Sequence, residues 1–188
     1  MSEPRYTEGN LIILYAIYRA GSVDSRSLPD HILERIKVCL GTLRIITSSK
    51  PDKYKTTIVI VANRVSVGTV KGALLKGGVD EKVILTESSP KNISQTLNRV
   101  LGMVKPQVNP PHIYFVGSVW QRDIYDSIVV SRFKGYKVQF DGALDHRPVH
   151  EVDQDRALEA PKKKLEYYKR KAKDKGIDLL LNYIFHEK

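Results

Sequence analysis

Ile58-Val59-Ile60-Val61-Ala62 is an unbroken apolar run, mostly β-branched, closed by the polar pair Asn63-Arg64. A strand with one face in water alternates apolar and polar side chains. A run without a polar member suits a strand buried on both faces, as in a parallel sheet covered by helices. Comparable runs stand on either side of it: residues 11–17, Val83-Ile84-Leu85, Ile113-Tyr114-Phe115-Val116 and Tyr136-Lys137-Val138-Gln139-Phe140.

Helix-period patterns fill the intervals. Ile32, Ile36, Leu40 and Leu43 share one face, with Ser27 or Asp30 as N-cap and Pro29 in the first turn. Val67, Val70 and Leu74 make a second stripe that stops at Gly77-Gly78, a pair suited to a left-handed C-cap. Ile93, Leu97, Val100, Leu101 and Val104 make a third, ended by Pro106, and Ile124, Ile128 and Val129 a fourth, ended by Gly135. Strands alternating with helices predict right-handed crossovers and a doubly wound, mostly parallel five-stranded α/β sheet, with 58–62 and 113–116 in its interior. Residues 141–154 show no period and read as loop. Pro161 opens a basic helix reaching Gly176, and a more apolar helix over 177–185 docks it on the body. The domain reading is an α/β domain over 1–155 and a helical extension over 156–188 packed on it.

A chain of 188 residues, 41% hydrophobic, suits one core. The sole cysteine, Cys39, excludes an intramolecular disulfide and favours a reducing, cytoplasmic setting; it lies in an apolar helical pattern, so a buried structural thiol is expected. The apolar run at 11–17 is about half a membrane span and Arg19 follows it, so neither signal nor anchor is read there. The formal charge is +10, and residues 162–175 hold eight bases against two acids, a net +6.

In an open α/β sheet, ligands bind at the carboxyl ends of the strands, near the point where the winding reverses. The loops that follow the strands hold no G-x-G-x-x-G, P-loop, nucleophile elbow or metal-ligand spacing, and the five histidines are scattered, so no metal and no particular cofactor is read. The loop Thr86-Glu87-Ser88-Ser89-Pro90-Lys91-Asn92 sets a carboxylate beside a helix start. Either it binds a ligand, or Ser88 or Ser89 caps the helix and Glu87 is solvated. Asn63 and Arg64 offer amide and cation at the same rim, with an ion pair from Arg64 to Glu87 as the structural alternative. Asp145-His146-Arg147 reads either as an acid/base pair or as a charged turn.

The order Val83-Ile84-Leu85-Thr86-Glu87, five residues to Asn92 and then a helix, resembles the YdcF/SanA/ElyC-like family of Rossmann-like domains. Gly77-Gly78-Val79 looks like that family's turn before the strand, and Ile113-Tyr114-Phe115-Val116-Gly117-Ser118 like its strand ending in Ser. The pattern similarity spans about residues 11–168. Glu87 and Asn92 match; Ser88, Pro90 and Ile93 stand at the family's Asp, Ser and Thr positions, and Gln95 and Thr96 at its Glu and Asn. Gln121 stands where the family has its His and Ile124 where it has its Arg, with Arg122 nearby. The resemblance therefore implies the fold and a ligand rim of Glu87, Ser88, Asn92, Ser118 and Arg122, to which Asn63 and Arg64, standing where the family has Gly-Gly, add an amide and a cation of their own; it carries over no catalytic residue. Three functions follow as expectations. The first is binding of a nucleotide-like or phosphorylated small molecule at that rim, with or without turnover. The second is nucleic-acid binding through Lys163, Lys164, Lys169, Arg170, Lys171 and Lys173, which flank Tyr167 and Tyr168. The third is a non-catalytic assembly module.

Overall fold

The computed structural model describes residues 9–18, 27–49, 55–88, 93–103, 112–125 and 135–159. Asn92 and the basic extension from residue 160 onward lie outside them. The chain divides into two compact units, Met1–His146 and Arg147–Lys188.

The first unit runs β1 (Gly9–Tyr15), α1 (Asp30–Ser49), β2 (Lys55–Val61), α2 (Val67–Lys76), β3 (Ile84–Glu87), α3 (Ile93–Met103), β4 (His112–Ser118), α4 (Arg122–Ile124) and β5 (Lys137–Ala143). One sheet contains all five strands in the order β3-β2-β1-β4-β5, and every pairing is parallel. The expected α/β sheet is thus present, with β2 and β4 both interior as their apolar runs require. Ile58, Val59, Ile60 and Val61 are completely buried, as are Ile113, Phe115 and Val116.

The register sorts the side chains into two faces. Ile12, Leu14, Ile58, Ile60 and Val116 join Ile32, Ile36 and Cys39 of α1 and Val70 and Leu74 of α2 in one core. On the opposite face the Phe115 ring lies 5.9 Å from Tyr15, 5.8 Å from Tyr125 and 5.9 Å from Phe140. Glu87 shares that face, in the row of Val61 and Tyr15, and meets Arg99 of α3. Helices α1 and α2 therefore cover one side and α3 the other, which is what a chain does when its winding direction reverses after β3.

Local signals explain the ends. Gly78 has φ 88°, and its N–H and that of Val79 bond back to the Leu75 and Leu74 carbonyls, closing α2 with the left-handed glycine its sequence promised. The Pro29 carbonyl accepts from Ile32 and Leu33, so Pro29 precedes α1 and is not inside its first turn. Cys39 is fully buried, and burial followed by the Asp141 carboxylate pushes its thiol up to about 12, an unreactive state.

Strand boundaries differ from the sequence reading: β2 already begins at Lys55 and β4 spans His112–Ser118. β1 starts earlier and ends at Tyr15, β3 runs on to Glu87, and β5 continues through Asp141 and Gly142 to Ala143. Part of the stretch read as loop is helix: α5 (Val149–Glu159) belongs to the second unit. It starts on the Pro148 carbonyl, and Arg147 reaches Asp155 at 2.6 Å within the same unit.

Candidate functional site at the carboxyl end of the sheet

β1 and β4 are neighbours, yet the chain leaves β1 toward β2 and returns to β4 from the far edge. In a doubly wound sheet, ligands bind at the carboxyl ends of two such strands. Here an arginine bridges the two strand ends. Arg35, in the second turn of α1, is 1% exposed; its Nη1 donates to the Tyr15 carbonyl at 2.9 Å and its Nε to Ser118 Oγ at 3.0 Å. The guanidinium therefore ties the last residue of β1 to the last residue of β4.

Ser118 passes the polarity on. Its hydroxyl donates to Asp145 Oδ2 at 3.1 Å, and Trp120 Nε1 donates to the same oxygen at 2.9 Å. Ser118 Oγ also accepts the Gln121 backbone N–H in a capping box, while Gln121 Oε1 accepts from Ser118 N at 2.7 Å. A hydroxyl has one proton and two lone pairs. Those of Ser118 are all engaged, and its side chain is fully buried, which suits a positioning group and leaves no capacity for a nucleophile. The cationic Arg35 and the Asp145 carboxylate share this hydroxyl, so the buried charge has a compensating one close by.

Two glycines make room for the turn. A Cβ on Gly117 would lie 2.6 Å from Gln121 Oε1, and one on Gly142, its register partner, 3.1 Å from Val119 Cγ2. The short helical turn Val119–Gln121 thus lies directly on the sheet end. Gly117→Ala must push Gln121 off the Ser118 N–H, a buried donor. We expect a loss of about 1–3 kcal/mol in urea unfolding; a loss below about 0.5 kcal/mol would mean the turn adapts freely.

The residues expected at one rim divide between two places. Ser118 faces α1, but Glu87 ends edge strand β3 on the α3 face, three strands away, about 14 Å at the usual strand spacing. Glu87 is 7% exposed and its carboxylate takes Arg99 Nη1 at 2.8 Å, so its ion pair is with Arg99 and not Arg64. Arg64 is exposed and Ser88 half-buried. Asn63 ties loops together: its Nδ2 donates to the Tyr18 carbonyl at 2.6 Å and its own carbonyl accepts from Ser66 and Val67. Arg122 is exposed, with its guanidinium 5.1 Å from the centre of the Phe140 ring. Of the charged triplet, Asp145 joins the Arg35 network, His146 is exposed and Arg147 pairs with Asp155.

Sequence reasoning missed Arg35, Trp120 and the capping role of Gln121. Arg35 had a signal: it lies three residues after Ile32 and four before Cys39, on the apolar stripe itself. A second polar cluster sits further down β4 and β5. Thr42 and Gln139 each donate to one oxygen of Asp141, at 2.5 and 2.8 Å, and the Tyr114 hydroxyl is 3.3 Å from His112 Nδ1. Burial lowers the His112 pKa, with Lys137 acting the same way and Asp141 against; burial and Asp141 raise that of Tyr114. Both groups are therefore neutral near pH 7, and the contact between them is a hydrogen bond of neutral partners.

Among the described residues no three His, Cys, Asp or Glu side chains converge as a metal site would need, and no helix is long and apolar enough to cross a membrane. No protein-family model, curated protein or solved structure matches the chain.

Proposed function

We propose that the carboxyl end of the sheet binds a small metabolite, nucleotide-like or phosphorylated, beside the Arg35–Ser118–Asp145–Trp120 network. The observation that carries this reading is the fully buried Arg35, placed at the β1–β4 reversal point and held by two fixed acceptors. An ordered polar network is costly to bury, and its position coincides with the crevice where this sheet topology takes ligands. Exposed Arg64 and Arg122, which follow β2 and β4, supply cations at the same end for a phosphate. The YdcF-like resemblance favours the same end of the sheet. Gln121, at that family's His position, is bound into the turn as an acceptor, so the reading is one of binding, with no proton transfer assigned to it.

The test is thermal unfolding against a panel of nucleotides and sugar phosphates. A ligand at about 100 times its dissociation constant adds about 2.7 kcal/mol to stability. Trp120 is the sole tryptophan, so its emission reports on this network directly. A ligand that stabilises the protein and changes Trp120 emission supports the reading. If no member of the panel does both, or if Asp145→Asn leaves binding intact, the reading falls.

A further inference from the structure

Edge strands need cover, because their outward N–H and C=O groups form a template for another strand. The two edges here differ. β3 is only four residues long and is preceded by the charged turn Asp80-Glu81-Lys82, which blunts it. β5 is seven residues long, in unbroken register with β4 from His112↔Lys137 to Ser118↔Ala143, with no bulge and no proline. Among the described residues nothing but β4 pairs with it.

The residues of β5 are complementary to themselves. Placed antiparallel to a second copy about a two-fold axis at Gln139, Lys137 stands opposite Asp141 of the other copy, twice by symmetry. These three positions share the α1 face of the sheet. On the other face Val138 meets Phe140, again twice. Opposite charges and apolar pairs directly across an antiparallel ladder are the favoured combinations, and an isologous contact closes after two copies. Lys137 and Gln139 are exposed and Val138 is half-buried. Asp141 has one donor on each oxygen, and a carboxylate accepts about four, so an ammonium has room to bind.

We propose that β5 is a homodimerisation edge, pairing antiparallel with β5 of a second copy in the register that sets Gln139 on the two-fold axis.

Light scattering with size exclusion on the full chain, over a micromolar to sub-millimolar range, should show a dimer. Lys137→Glu places like charges together at both symmetric positions and should raise its dissociation constant roughly tenfold. Because a charge change also acts at long range, a register-specific variant accompanies it. Gln139→Cys, at an exposed position, should cross-link to its own copy under mild oxidation, since native Cys39 is buried and unreactive. Lys82→Cys, exposed beside the opposite edge, is the control and should cross-link far more slowly. A wild type that stays monomeric throughout, or a Gln139→Cys protein no faster to cross-link than Lys82→Cys, overturns the proposal.

Discussion

Arg35→Ala should lower the stability of the first unit by about 3–5 kcal/mol, as urea unfolding would measure it. Removing one partner of a buried charged network costs that much because the remaining groups stay desolvated. The Tyr15 carbonyl loses the Arg35 Nη1 donor, Ser118 Oγ keeps the Gln121 N–H but loses the Arg35 Nε donor, and Asp145 loses its compensating cation. Arg35→Lys should recover only part of the loss, since one ammonium cannot reproduce two donors in a planar fork. The pairing is checked by a cycle with Asp145→Asn. If Arg35 and Asp145 act as one network, the double variant loses clearly less than the two single losses combined. Additive losses would show that Arg35 serves β1 alone.

Phe115→Ala is the second large effect, about 3–5 kcal/mol, and it tests the opposite face of the sheet. Phe115 is fully buried in the interior strand β4, and three aromatic rings surround it within 6 Å. The loss combines the transfer term, the residual cavity and the ring contacts, each ring pair adding about 0.5–1.5 kcal/mol. Phe115→Leu keeps most of the volume and should cost much less. Equal losses for the two variants would mean that ring stacking, not volume, holds this face together.

The parallel sheet was legible because β1, β2 and β4 each carry an unbroken apolar run, and burial on both faces explains such runs. β5 was read short because Asp141 and Gly142 are poor strand formers whose places are set by tertiary partners, Thr42 for one and the Val119 turn for the other. α5 has only Val149, Val152, Ala157 and Leu158 among charges, and they do not line up as one stripe from end to end, so no period shows. The candidate site was half legible. Ser118 and Asp145 were singled out, but strand order is not written in local sequence, so Glu87 was placed beside groups that lie three strands away. Arg35 needed a different question: why a cation occupies the buried stripe of an otherwise apolar helix face.

The strand order also constrains how this chain can be born. β1 is synthesised first but ends up in the middle, and Leu11 must wait for Ile113 before its second edge is paired. Until residues 112–118 are made, β1 has a strand to pair with on one side only. Arg35 is already present then, with its Tyr15 acceptor available and its Ser118 acceptor, 83 residues downstream, not yet made. The seam and its arginine lock thus both wait on the same late segment of the chain.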